Sequence, residues 1–416
     1  MNIRNMRRID YWIGVPLCFL LSLWEFFFRK IFSFRERQPR KILFVELSEM
    51  GSAILSYSTL YQARKQFQDA EPFFLIFESN VGSLELLNLF PPKNILTIKD
   101  KNFFEFALTA FAALRRIRSL KIDTVIDMEL FSRFSAIFSY LTGASNRVAF
   151  HQYTAEGLFR GGFMTHKVMY NPHQHISLNF MSLLFSLKAP RGEVPLLKEN
   201  LTKELVPLPL CPVSSEEKSY ALELLRRENP SVTSQSPLII INAYPGKLIP
   251  IRGWPINHYI DLIKRLLNLN PELNVVLIGL STATNYNGEI VSRVVNKRCI
   301  DLSGKTDSPK NLVSLLSLAK LLISNDGGPV HFASLIDLHS VVLFGPETPA
   351  LYSPIGSANT VLYSSFSCSP CISAFNHRNT PCSDNKCLQA ISVEQVYSAV
   401  ISAYQDVSKF DLKSKT

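Results

Sequence analysis

Leu321–Gly356 reads LLISNDGGPVHFASLIDLHSVVLFGPETPALYSPIG. It opens on Leu321-Leu322-Ile323, a short apolar run of the kind shown by a parallel strand buried on both faces. The run ends in Ser324-Asn325-Asp326-Gly327-Gly328-Pro329, and Pro329 stands near the first position of a helix whose first turn holds His331. Ser340–Phe344 is a second strand, and it too ends in a glycine loop, Gly345-Pro346-Glu347-Thr348. Two consecutive strands thus predict glycine-bearing loops on one edge of one sheet, the edge where open α/β sheets bind ligands. Gly327 and Gly328 let backbone N–H groups approach an anion, and the helix start adds the positive end of its dipole. The chemistry expected here is capture of a phosphate or diphosphate, with Asp326 and His331 beside it.

The rest of the chain repeats this alternation twice. Lys41–Leu47 (KILFVEL) predicts a buried strand, Ser48–Ser52 a turn, and Ala53–Phe67 a helix, which together open a Rossmann-like unit. Gly-x-Gly-x-x-Gly is absent, so this is no dinucleotide fingerprint. Strands at Phe73–Phe77, Asn94–Ile98, Thr124–Met128 and Arg147–His151 alternate with helices at Val81–Phe90, Asn102–Leu120 and Phe131–Thr142. Between Lys188 and Ser215 five prolines interrupt all periodicity and mark a connection between domains. A second alternation follows: helix Glu216–Arg227, strand Leu238–Ile241, strand Asn274–Leu280, a helix beginning near Asn285, and a closing helix Ile391–Phe410 that could return across the first domain. The expected organisation is a segment 1–40, a Rossmann-like domain 41–205 and a second Rossmann-like domain 206–416. A chain of 416 residues is long enough for two full cores.

The net charge of +10 implies an anionic partner. Without a recognition-helix motif, RNP pattern or arginine-rich tail, nucleic acid is excluded in favour of anionic lipid or a phosphorylated glycolipid. Tyr11–Phe28 is apolar apart from Ser22 and Glu25 and is flanked by Arg4, Arg7 and Arg8 before it and by Arg29, Lys30, Arg35, Arg37, Arg40 and Lys41 after it. It is at the short limit for a transmembrane helix, which needs about 20 residues. Basic residues on both flanks, with Trp12 and Trp24, suit an interfacial or re-entrant anchor. A single span and a helix packed on the protein remain as alternatives. A cleaved signal lacks its small-residue cleavage site, since Phe-Arg-Lys follows.

Asp-Gly-Gly-Pro-Val-His-Phe-Ala, then Leu-Phe-Gly-Pro-Glu-Thr-Pro and Pro-Ile-Gly, resembles the C-terminal signature of the heptosyltransferase-type family 9 glycosyltransferases. The resemblance extends over about residues 41 to 400. It implies the GT-B fold, two Rossmann-like domains facing a cleft, and inverting, metal-independent transfer of a sugar onto lipopolysaccharide. The donor implied is a nucleotide-diphospho-sugar, plausibly ADP-heptose, and the acceptor a lipid-linked saccharide at the cytoplasmic face of the bacterial inner membrane. In the family the first glycine turn carries Gly-Asp, and that aspartate is the proposed general base; here the matching pair is Gly51-Ser52. A serine hydroxyl cannot serve alone as the base. Glu49, in the same loop, is the carboxylate able to replace it if partial burial raises its pKa; a solvent-facing Glu49 in an inactive relative is the alternative. The family also has a basic residue two before Trp-Pro that contacts the donor diphosphate. Arg252 holds that place, with Lys247 nearby. An acidic residue near the ribose maps to Glu289, and Gly304-Lys305-Thr306 to a loop beside the donor nucleotide. The last is no P-loop, because position 299 is Cys299 and not glycine. No Asp-x-Asp motif is present.

Cys368, Cys371, Cys382 and Cys387 form a compact set whose spacing admits a structural zinc, an iron–sulfur cluster or two disulfides. His173 and His175 lack partner ligands at metal spacing and read as a cap or surface residues. The recurring basic residues of the first domain, among them Arg115, Arg116, Arg118, Arg133, Arg147 and Arg160, are either solvated helix faces or holders of acceptor phosphates. A non-catalytic nucleotide- or glycolipid-binding protein of the same fold is the competing reading. A metal-binding interaction module built on the four cysteines is a further one.

Overall fold

A computed structural model describes residues 3–29, 38–154, 156–190, 192–356 and 359–413. Lys30, Arg35 and Arg37 of the basic flank lie outside them. The chain divides into two compact units, Met1–Val206 with Ser373–His377, and Pro207–Ile372 with Arg378–Thr416.

The first unit is built on β1 (Lys41–Val45), β2 (Glu71–Phe77), β3 (Ile95–Ile98), β4 (Thr124–Asp127), β5 (Asn146–Phe150) and β6 (His166–Val168). They form one parallel sheet in the order β3-β2-β1-β4-β5-β6. Its helices are α1 (Ile3–Trp12), α2 (Gly14–Arg29), α3 (Met50–Leu55), α4 (Tyr57–Gln66), α5 (Val81–Leu87), α6 (Phe103–Leu120), α7 (Arg133–Leu141) and α8 (Ile176–Phe185). The single helix expected over Ala53–Phe67 is two. Ser56 separates them, its hydroxyl donating to the Ala53 carbonyl at 2.7 Å, a local bond that competes with helix continuation. Helix α3 also starts earlier than the sequence suggests, so Gly51 and Ser52 lie in its first turn and Glu49 at its N-cap.

Leu43, Val45, Phe73, Leu75 and Val125 face one side of the sheet and pack on Ala110, Ala113 and Ile117 of α6 and Phe138 of α7. Helices α1 and α2 lie over that layer. Asp10 accepts from the Arg133 and Phe134 N–H groups, both at 2.9 Å, and pairs with the Arg133 guanidinium at 3.1 Å. Glu25 pairs with Arg147 at 2.8 Å and accepts from the Tyr140 hydroxyl. The Ser22 hydroxyl accepts from Gly162 N–H, and Cys18 is buried against Ala136 and Phe163. Met6–Phe27 is long and apolar enough to cross a bilayer. Yet a crossing would take Asp10 and Glu25 away from buried arginines, and breaking one buried pair costs about 3–5 kcal/mol. A helix packed on the protein, the last of the alternatives, is what these contacts describe for the inner face. Arg133, Arg147 and Arg160 therefore serve buried ion pairs, Arg160 with Asp127. His175 caps α8, its Nδ1 accepting from Ser177 N–H.

The second unit repeats the scheme with β7 (Leu238–Asn242), β8 (Asn274–Leu277), β9 (Cys299–Asp301), β10 (Leu321–Asn325), β11 (Ser340–Phe344) and β12 (Asn359–Tyr363). The order is β12-β11-β10-β7-β8-β9, again parallel. Among its helices are α9 (Ser215–Glu228), α10 (Ile256–Leu269), α11 (Thr284–Val294), α12 (Pro309–Leu316), α13 (Gly328–Ser334), α14 (Pro349–Tyr352), α15 (Lys386–Gln389) and α16 (Val393–Lys413). Helix α9 begins with a reciprocal capping box between Ser214 and Glu217. Val396, Val400 and Ala403 of α16 enter the core of this second unit beside Leu262, Ile263 and Leu266 of α10.

Candidate functional site

The C-terminal ends of β7 and β10 are stitched by side chains. Asn242 donates to the Ser324 hydroxyl at 3.0 Å. Asn325 accepts from Trp254 N–H and from the Tyr259 hydroxyl, both at 3.0 Å, and donates to the Ala243 carbonyl at 2.8 Å. Trp254 is buried, with Nε1 donating to the Ile391 carbonyl. The Asn385 amide donates to the carbonyls of Ile251 and Gly253 at 2.8 and 2.7 Å, one on each side of Arg252. This bracing fixes where Arg252 sits: its Nη1 lies 3.1 Å from Asp326 Oδ2. Its Nε is buried and has no hydrogen-bond partner among the described residues. Buried donors are nearly always paired, and this one is left over.

The glycines after Asp326 are not demanded by the fold. Gly327 is extended (φ 174°, ψ 176°), and a Cβ there would find its nearest atom at 3.8 Å. At Gly328 a Cβ would meet nothing within 4 Å. Helix α13 has seven residues, so its dipole is weak and the expected helix-start contribution is smaller than a long helix would give. His331 is buried in this helix.

Glu347 is a residue for which the sequence offered a position but no role. It follows β11 and is 2% exposed. Burial raises its carboxyl to about 8; Arg378 opposes this and Asp326 adds to it, with Arg252 also lowering. The signal that could have found it is the Gly-Pro-Glu-Thr loop itself, which ends the neighbouring strand on the same sheet edge.

Other expected donor residues stand differently. Lys247 is exposed on the 242–255 loop. Lys305 pairs with Glu228 at 2.7 Å and donates to the Asp301 carbonyl at 2.9 Å, so it ties its loop to α9. Glu289 is exposed on α11 and pairs with Arg293 one turn on. Its neighbour Tyr286 meets Tyr244 with ring centroids 5.5 Å apart. The structure thus brings together Arg252, Asp326, Gly327, Gly328 and Glu347, and engages Lys305 and Glu289 in other pairs.

In the first unit the same sheet edge gathers carboxylates. Glu49 Oε2 accepts from the Ser52 hydroxyl at 3.0 Å. Glu129, after β4, accepts from Leu47 N–H at 2.7 Å, Ser48 N–H at 3.1 Å and the Ser48 hydroxyl at 3.2 Å. It ties the turn that presents Glu49 to the end of the next strand. Burial raises Glu129 to about 7; the Leu47 N–H opposes this, while Asp127 and Glu49 add to it. Arg160 donates to the Glu129 carbonyl at 3.0 Å and pairs with Asp127 behind it.

The zinc reading of Cys368, Cys371, Cys382 and Cys387 is not supported by the geometry. No group of three or more His, Cys, Asp or Glu among the described residues is arranged to hold a metal ion. Cys368, Cys382 and Cys387 are free thiols. Cys382 donates to the Asp384 carbonyl, and Cys387 is buried under Gly345, where a Cβ would come within 3.0 Å of its Sγ.

Comparison with known proteins follows the same lines. Lipopolysaccharide heptosyltransferase 2 of Salmonella typhimurium is 30% identical over 158 residues, 37% of this chain and 42% of that protein. The matched stretch therefore spans about two fifths of that relative's length. Lipopolysaccharide heptosyltransferase 1 of Campylobacter coli is 25% identical over 314 residues, covering 74% of this chain and 85% of the relative. Among solved structures, E. coli ADP-heptose LPS heptosyltransferase II superposes with a TM-score of 0.66 at 18% identity, over 88% of this chain and 99% of that one. A family 9 glycosyltransferase from Veillonella parvula gives 0.68 at 19% identity, over 89% and 99%. These likenesses assign the two-unit GT-B fold. The sequence pattern of glycosyltransferase family 9 (heptosyltransferase) matches residues 110–380, well over half of the chain, and the chain belongs to that family.

Proposed function

We propose that the protein is an inverting glycosyltransferase that moves a sugar, plausibly heptose from ADP-heptose, onto a lipopolysaccharide-type acceptor. The observation that carries this reading is Arg252, braced on both sides by Asn385 and held by Asp326 beside Gly327 and Gly328. A guanidinium so placed neutralises the diphosphate as it leaves, which is the charge that develops in the transition state. No metal is needed for that role. Glu49 takes the acceptor proton, and Ser52, which stands where the family has aspartate, hands its hydroxyl hydrogen bond to the same carboxylate. His331 and Lys247 complete the donor side. The acceptor is a lipid-linked saccharide, and the protein works at the cytoplasmic face of the inner membrane, held there by its N-terminal segment.

Ser52 is also what favours the second reading, a non-catalytic protein that binds nucleotide or glycolipid. One experiment separates the two. The purified protein is offered a panel of nucleotide-sugars with a detergent-dispersed lipid A–core acceptor, wild type against Glu49→Gln. Transfer that falls about 100-fold or more in the variant, with donor binding kept, supports Glu49 as base. Transfer unchanged in the variant removes Glu49 and keeps the enzyme. Donor binding without transfer by the wild type supports the second reading.

A further inference from the structure

The N-terminal helices and α6 share one side of the first unit's sheet. The inner face of α1–α2 is the stripe Asp10, Gly14, Cys18, Ser22 and Glu25, recurring every three or four residues and engaged with α7 and the 160–163 turn. Gly14 is required there, since a Cβ would come within 2.7 Å of the Arg133 side chain. Leu21 and Met6 also pack inward, and most of the other apolar side chains are turned outward. Trp12 is 74% exposed, Trp24 55%, Phe27 60% and Leu20 59%. Helix α6 shows a second such face. Phe104, Leu108 and Phe111, spaced four and three residues apart, are all more than half exposed; they point away from Ala110, Ala113 and Ile117, which pack on the sheet. Met6 of α1 packs against the same core cluster as Phe106 and Leu114 of α6, so the two elements cover one side of the sheet.

Clustered exposed apolar side chains on one side of a sheet mark an interaction site. Its charge says with what. The acids of α1 and α2, Asp10 and Glu25, are turned inward and paired. Arg8, Arg115, Arg116, Arg118 and Lys121 are exposed along the border, with Arg115 stacked over Phe111. Tryptophan on an apolar face rimmed by cations matches the water–lipid interface of an anionic bilayer. We propose that the outer face of α1–α2 and the Phe104–Leu108–Phe111 face of α6 form one docking surface that lies in the plane of an anionic membrane, inserting shallowly without crossing it. This rests on the membrane-associated reading above and specifies it: α6, far along the chain, shares the contact.

The test uses the full chain with vesicles of phosphatidylcholine alone or mixed with phosphatidylglycerol. Flotation should show binding to the mixed vesicles and little to the neutral ones. The triple variant Phe104→Ser/Leu108→Ser/Phe111→Ser should bind at least ~10-fold more weakly, because three apolar side chains that insert into the bilayer are lost. Its melting temperature and its transfer to a detergent-dispersed acceptor should stay unchanged, which separates failure of docking from failure of the enzymatic reading. Depth is read by tryptophan fluorescence with brominated lipids. The chain has three tryptophans, and Trp254 is buried in the second unit, so quenching reports Trp12 and Trp24. Bromines near the headgroup should quench more than bromines near the chain end. Stronger quenching from the deep bromines, equal binding to neutral vesicles, or full binding by the triple variant would each overturn the proposal. So would a tight dimer that the triple variant dissociates and that ignores vesicles.

Discussion

The two units share one topology and use it for opposite charges. Read outward from the central strands β1 and β7, both sheets have the same strand order. In the second unit the loop edge is organised around a guanidinium: Arg252 against Asp326, with Glu347 buried beside them. In the first unit the matching edge holds Glu49 and Glu129, and the arginine nearest them, Arg160, is spent on Asp127. A fold that ends every strand at one edge sets where loops go, not what they bind. Cation at one edge suits a departing diphosphate, and carboxylate at the other suits an acceptor hydroxyl. Each edge also contains one glutamate with a raised pKa, which is where the comparison can be pressed hardest.

The largest effect is expected at Arg252. Arg252→Lys keeps a charge but loses the planar fork and the Asp326 geometry. A charge-assisted bond is worth about 1.5–3 kcal/mol, so kcat/KM for donor should fall roughly 10- to 150-fold. The melting temperature should move little, because Asn385, Asn325 and Trp254 hold the loop through other atoms. A loss confined to stability would mean that Arg252 is a strut, and the contrast between the two edges would dissolve.

A smaller, pH-dependent effect belongs to Glu347. Its ordinary value of 4.5 is raised to about 8 by burial. A folded-state pKa above the unfolded one gives stability that is full below pH 4.5 and is lost as pH rises through 8. Wild-type melting temperature should therefore decline across that window, and Glu347→Gln should flatten the decline. Ionising Glu347 also places a second negative charge by Asp326, so donor KM should rise several-fold toward high pH in the wild type and not in the variant. Glu129, raised to about 7 from 4.5, makes the same prediction in a lower window, and Glu129→Gln leaves the donor KM profile alone if the two edges do separate jobs.

Much of this was legible in the chain. Buried central strands such as Leu321–Asn325 and Ser340–Phe344 announce themselves as unbroken apolar runs, because both faces are covered. The edge strands β6 and β12 did not. His166–Val168 has three residues, and Asn359–Tyr363 is only half-buried along its length, so neither has a run to read. Arg252, Asp326 and the glycines were found by their place in two loops. The Lys305–Glu228 pair was not, because the partners are 77 positions apart and nothing local links them. The N-terminal helices show the same limit. Tyr11–Phe28 reads as a membrane segment by composition, and only the fold reveals that Asp10 and Glu25 are spoken for by Arg133 and Arg147.

The finest distinction between the edges rests on Gly328. Glycine is usually kept where a side chain would clash or where φ is positive, and neither holds here, since a Cβ would meet nothing within 4 Å. Gly328→Ala gains by restricting the unfolded chain and loses by crowding Pro329, which disfavours a helical residue before it, so stability should change by no more than about 1 kcal/mol. If the open space over Gly328 is where the donor diphosphate rests, the added methyl intrudes on it alone. Donor KM should rise about 3- to 10-fold, with kcat nearly kept, since one displaced contact is worth 0.5–1.5 kcal/mol. The matching change in the other unit, Ser52→Ala, removes a hydroxyl that serves Glu49 and should act on kcat with donor KM kept. Changes that fall on the same kinetic constant in both variants would show that the two edges do not divide the chemistry between donor and acceptor.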